Sequence, residues 1–133
     1  MFLSRLSDVQ KESVVDLLVI AANVDGELAD EEKDIIERYC AEMSVDVRYE
    51  VSVSLEEAIR KLADNSSRAE LKKILVELGA MILCDSKYVE EEKQLIETYT
   101  EITRITPEET NHAFDLLNRL SEIYAELGEY VSE

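Results

Sequence analysis

Asp25-Gly26-Glu27-Leu28-Ala29-Asp30-Glu31-Glu32-Lys33-Asp34-Ile35-Ile36-Glu37-Arg38-Tyr39-Cys40 returns sixty residues later as Asp85-Ser86-Lys87-Tyr88-Val89-Glu90-Glu91-Glu92-Lys93-Gln94-Leu95-Ile96-Glu97-Thr98-Tyr99-Thr100. Seven of the sixteen pairs are identical: Asp25/Asp85, Glu31/Glu91, Glu32/Glu92, Lys33/Lys93, Ile36/Ile96, Glu37/Glu97 and Tyr39/Tyr99. Before each copy stands a segment that is apolar nearly all round, Val14 to Ala22 and Ile74 to Cys84, interrupted by Asp16 and Glu77. A helix of that kind belongs in the middle of a domain. The chain therefore reads as two copies of one unit: buried helix, tight acidic turn, amphipathic helix. Ala21, Ala22, Gly79 and Ala80 are expected to let the two apolar helices approach closely. The acidic turns would then lie near each other about a pseudo-twofold axis.

Working outward, the apolar spacing is helical almost throughout. Ser7-Asp8-Val9-Gln10 is a capping box that opens the first helix. The second runs from about Asp30 to Met43, with Ile35, Ile36, Tyr39, Cys40 and Met43 inward. Ser54 starts a short third helix whose inward face is Leu55, Ala58, Ile59 and Leu62. Ser67-Arg68-Ala69-Glu70 is a second capping box, opening a fourth helix that runs to about Cys84. The fifth spans about Glu90 to Thr103, with Leu95, Ile96, Tyr99 and Ile102 inward. Thr106-Pro107-Glu108-Glu109 supplies a cap, a proline suited to the first helical position and a third-position glutamate. The sixth helix is expected to bury Ala113, Leu116, Leu117, Leu120, Tyr124 and Leu127, and Gly128 suits its C-terminus. Residues 45–53 alternate like a strand, but nothing else alternates to pair with them, so they read as a loop or irregular turn. The expectation is an all-α fold: one domain over residues 1–133, a compact bundle of about six helices in two pseudo-repeated halves.

Composition narrows the function. The 133 residues carry 31 Asp+Glu against 14 Lys+Arg, a formal net charge of −17. A nucleic-acid binder needs a basic patch, and an anionic-membrane binder needs clustered Lys/Arg. Neither is expected here. No apolar run approaches the ~20 residues that cross a bilayer, and the opening Met1 to Asp8 is too short and polar for a signal peptide. Cys40 and Cys84 sit among apolar residues and read as buried reduced thiols, which favours the cytoplasm.

The acidic turn supports two readings. Asn23, Asp25, Gly26, Leu28 and Glu32 fall at positions three, five, six, eight and twelve of an EF-hand-like register. Ala21 occupies position one and offers no ligand, and the second copy places Met81 and Leu83 at positions one and three. Any divalent ion, calcium or magnesium for oxygen-only donors, would bind weakly, with a dissociation constant on the order of 10⁻⁴ to 10⁻³ M. In the other reading Asp25-Gly26 is a tight turn, Ala29 is the N-cap and Glu32 its third-position acceptor. Asp30, Glu31 and Glu32, like Glu90, Glu91 and Glu92, then stabilise a helix start through its dipole.

Around Ala22-Asn23-Val24-Asp25-Gly26-Glu27-Leu28-Ala29-Asp30-Glu31-Glu32 the chain resembles the tellurite-resistance TerB-like family. The shared features are the Asp-Gly, the branched apolar residue two positions later, the glutamate seven positions after the aspartate, the preceding apolar helix and a related aspartate–glutamate pair in the second half. The likeness extends over roughly Val9 to Leu127. It implies a compact helical domain in bacterial stress response, in metal-linked or membrane-associated complexes, or in tellurite resistance. Related domains occur in a membrane-tethered DnaJ-like co-chaperone. The ligands it implies are Asp25, Glu32, Asp85 and Glu92, with Glu31 and Glu91 beside them. Ser86 and Lys87 depart from the pattern at the second turn.

No other constellation carries chemistry. His112 is the sole histidine and reads as structural or surface. Zinc spacing, a Gly-rich phosphate loop and a nucleophile elbow are all missing from the sequence. Tyr39 and Tyr99 read as core, and Glu27, Asp34, Glu37, Gln94 and Glu101 as solvated faces. The expected function is a non-enzymatic module that binds a protein partner. Its alternative is an ion-independent acidic adaptor, or a co-chaperone-like domain, for a basic partner.

Overall fold

Ser7 opens the first helix as its spacing predicts. Its hydroxyl accepts from the Gln10 N–H, and the Gln10 side chain accepts the Ser7 N–H at 2.7 Å. Two donors that a helix start leaves open are thereby satisfied. Gln10 Nε2 also donates to the Asn65 carbonyl and the Ser66 hydroxyl, so one buried amide ties two helix ends together. Among the described residues six helices follow in order: α1 (Asp8–Ala22), α2 (Asp30–Met43), α3 (Leu55–Asn65), α4 (Arg68–Leu83), α5 (Glu90–Thr103) and α6 (Pro107–Val131). The computed structural model describes residues 1–133 apart from 25–27, 29, 84–89 and 133, and apart from the side chain of residue 83. The fold is all-α, with no strand among the described residues.

The central helices are α1 and α4. The first packs against α2, α3 and α4, the second against α1, α5 and α6, and α3 also leans on α5. One continuous core joins Val14, Leu17 and Leu18 of α1 to Leu75, Leu78 and Ile82 of α4, Ile36, Cys40 and Met43 of α2, and Leu95, Ile96 and Tyr99 of α5. Each large aliphatic side chain buried this way stabilises by ~1.5–3 kcal/mol. Cys40 is a free thiol in that core, and burial pushes its pKa up; Cys84 lies outside the described residues.

The duplication extends beyond the quoted repeat into the backbone. α2 and α5 each end in a left-handed residue, Ser44 (φ 58°) and Arg104 (φ 61°), sixty positions apart. The next N–H closes each end in the same way: Val45 donates to the Cys40 carbonyl at 3.0 Å, and Ile105 to the Thr100 carbonyl at 3.1 Å. These are the six-to-one hydrogen bonds of a Schellman closure. The units of the repeat thus finish alike, with Cys40/Thr100, Ser44/Arg104 and Val45/Ile105 in register.

Residues 45–53 are irregular, as the missing strand partner requires. Val45, Tyr49 and Val51 pack on the core from this extended segment. Arg48 fastens it to α1, reaching Asp16 at 2.6 Å and the Glu12 carbonyl at 3.0 Å. The Tyr49 hydroxyl fastens it to α2 by donating to Glu37 at 2.7 Å, and that bond pushes its pKa up to about 12.

Three expectations need correction. Gly79 serves α4 against α6: a Cβ there would lie 2.8 Å from Phe114 and 2.9 Å from Leu117. The sixth helix buries none of its side chains. Ala113 and Leu117 are half-buried, while Leu116, Leu120, Tyr124 and Leu127 are exposed, because α6 packs chiefly on α4 and outruns it. Finally, Gly128 does not end that helix, which continues to Val131 and caps at Ser132.

Candidate functional site

α2 and α5 present the acidic repeat at equivalent places. Asp30, Glu31 and Glu32 form the first turn of one, and Glu90, Glu91 and Glu92 that of the other. Carboxylates stand favourably there against the positive end of the helix dipole. The period of each helix then sorts them. Glu31 and Glu91 are exposed, Glu32 is half-buried, and Glu92 is buried at 7% exposure. One residue of each matched pair thus faces solvent and the next turns toward the core.

Of the six carboxylates singled out from the sequence, Asp25 and Asp85 lie outside the described residues, as do Gly26, Ala29, Ser86, Lys87 and Val89. Among the described residues, no three His, Cys, Asp or Glu side chains come together as a metal-ligating group. Glu31, Glu32, Glu91 and Glu92 therefore do not make a cation cage by themselves. Asn23 caps α1 and turns its amide Nδ2 back onto the Val19 carbonyl at 2.9 Å. His112 is exposed near the start of α6.

The acidic faces are open. Asp34 and Glu37 on α2, and Glu90, Gln94, Glu97 and Glu101 on α5, are exposed. Among the described residues, none of Glu31, Asp34, Glu91, Glu97 or Glu101 joins an ion pair. Surface of this kind attracts cations and basic segments at long range.

Two polar clusters escaped the sequence reading. The Met1 ammonium pairs with Glu42 at the end of α2 and stands 2.8 Å from Glu77 of α4. The N–H groups of Phe2 and Leu3 donate to Glu77 and Glu42, each at 2.8 Å. Burial works against both charges. The mutual hydrogen bonds outweigh it, holding the Met1 ammonium pKa up and the Glu42 pKa down. The second cluster is the Arg48 clasp, which floors an open groove of about 550 Å³ between α1, residues 50–53 and α3, lined also by Glu57 and Lys61. Asp16 and the Glu12 and Glu50 carbonyls already occupy the Arg48 guanidinium. The available signal was the lone acid inside each apolar helix, Asp16 and Glu77: a buried carboxylate requires a partner. The partners' identities depend on tertiary proximity.

Together the fold and these surfaces define an acidic helical bundle of two related units that displays carboxylates on two equivalent helices. Compared with family models, curated proteins and solved structures, the chain matches none. No helix among the described residues is long and apolar enough to cross a membrane.

Proposed function

We propose that this chain is a non-enzymatic, TerB-like module for protein interaction, acting in the cytoplasm in bacterial stress response or tellurite resistance. The observation that carries the reading is the equivalence of α2 and α5: acidic first turns and identical left-handed closures, sixty residues apart, in two units of one domain. That is the duplicated unit on which the family resemblance rests. The buried free thiol of Cys40 accords with a reducing compartment. The resemblance also implies a weakly held calcium or magnesium ion, with Asp25 and Glu32, and Asp85 and Glu92, as ligands and Glu31 and Glu91 beside them. Oxygen donors suit those ions. A bound cation would relieve repulsion among the carboxylates at each helix start.

The open acidic faces favour a second reading, an ion-independent adaptor or co-chaperone-like domain for a basic protein partner. Thermal unfolding separates the two. Millimolar calcium or magnesium is compared with sodium chloride of equal ionic strength and with chelator. Specific binding raises Tm beyond the salt control; a hundredfold excess over the dissociation constant adds ~2.7 kcal/mol of stability and millimolar ion at this weak affinity adds less, and Asp25→Asn or Glu32→Gln reduces the gain. Equal gains in sodium chloride leave the adaptor reading, because only charge screening is then at work.

A further inference from the structure

The last turns of α6 carry a row of apolar side chains that the domain does not use. Leu116, Leu120, Ile123, Tyr124, Leu127, Tyr130 and Val131 are between 37% and 76% exposed. Along this row, Ala113, Leu116, Leu120, Ile123, Leu127 and Tyr130 alternate steps of three and four. That is the 3.5-residue repeat of a coiled-coil seam. α4 takes a neighbouring face, where Phe114 and Leu117 lie against Gly79, so the seam stays open with α6 docked on its own domain. At their observed exposures the seam side chains, together with Tyr124 and Val131 along its edge, offer on the order of 800 Å² of largely apolar surface, one partner's share of a standard interface. A monomer's largest apolar patch is ordinarily smaller.

We propose that a second copy of the chain covers this face, the two α6 helices pairing antiparallel about a twofold axis between residues 121 and 122. Leu120 then meets Ile123 of the partner subunit, Leu116 meets Leu127 of the partner subunit, and the small Ala113 meets the large Tyr130 of the partner subunit. The twofold repeats each contact, as a self-complementary interface requires.

Charge selects both the occupant and the orientation. Arg119 is the only Lys or Arg in α6. In the antiparallel pair it flanks the seam opposite Glu126 of the partner subunit, and symmetry makes two such ion pairs. Its present contact, Asp115 at 3.8 Å, is loose and exposed, and pairs of that kind hold weakly. A parallel pair would set Arg119 beside Tyr124 of the partner subunit and leave it no acid. It would also bring the two acidic bundles to the same end, each chain carrying a formal net charge of −17 in all. Antiparallel pairing carries them toward opposite ends, where salt screens what repulsion remains. This interface involves neither the acidic turns nor a cation.

Analytical ultracentrifugation of the full chain at physiological ionic strength, across the micromolar range, tests it. The expected species has twice the 15.2 kDa chain mass. Leu120→Glu gives a monomer of unchanged far-UV circular dichroism. Arg119→Glu and Glu126→Arg each weaken the dimer about tenfold or more, and the two together restore it, because the swapped charges still face each other. Both are exposed residues, so this pair of variants decides even where Leu120→Glu disturbs folding. A monomer throughout the range, a dimer indifferent to Leu120→Glu, or charge reversals without rescue would overturn the proposal.

Discussion

Glu109 shows how much one side chain can gather. It sits at the third position of α6, where its carboxylate accepts the Thr106 N–H at 3.0 Å while the Thr106 hydroxyl accepts the Glu109 N–H. Lys72 reaches it at 2.6 Å from α4, and Arg68 of the same helix also pairs with it. The Lys72 contact first, and the Thr106 N–H next, pull its pKa down to about 2. A carboxyl whose folded pKa is depressed stabilises the fold fully above its unfolded value, ~4.3, and that contribution fades as pH falls through the folded value. Urea unfolding stepped between pH 5 and about 2 should show stability falling with pH in wild type, and a shallower fall in Glu109→Gln. Thr106-Pro107-Glu108-Glu109 announced the cap in the sequence. Lys72 and Arg68 belong to α4, two helices upstream in the chain, and only the packing of α4 beside the start of α6 brings them there.

At the scale of elements, helix starts were more legible than helix ends. Ser7, Ser54, Ser67 and Thr106 each accept an N–H three residues on, since a capping hydroxyl acts on its own neighbours. The ends of α2 and α5 carry no glycine, and the left-handed conformation falls instead on Ser44 and Arg104. A side chain with a Cβ is strained there. Ser44→Gly should therefore stabilise the domain by ~0.5 kcal/mol, less than the strain relieved, because glycine also gains freedom in the unfolded chain. A higher urea midpoint at unchanged m-value is the expected result. α6 is the element where pattern and burial part company. Its apolar residues recur at helical spacing as those of α3 do, yet α3 lies against both α1 and α5 whereas α6 lies chiefly on α4. Periodicity tells which face of a helix is apolar, and the rest of the bundle decides whether anything covers it.

For the whole molecule, the formal charge of −17 on 133 residues opposes compaction. Among the described residues, Glu31, Asp34, Glu91, Glu97 and Glu101 join no ion pair, so their repulsion is met mainly by dissolved salt. Raising sodium chloride from ~0.01 M to ~0.15 M shortens the screening length from about 30 Å to about 8 Å. The midpoint of thermal unfolding should rise over that range and level off beyond it, and a midpoint independent of salt would show that the repulsion is already balanced within the fold. The sequence by itself determined the duplicated unit, which a comparison of two stretches of chain reveals, and the helical class, the four capped starts and the inward stripes of α2, α3 and α5, because each of these depends on residues within a turn or two of one another. Tertiary structure alone decided that Arg48 answers Asp16, that the Met1 ammonium answers Glu77, that Gly79 receives α6 and that the far half of α6 stays bare. Those outcomes depend on which surfaces meet across tens of residues, and local spacing carries no record of that.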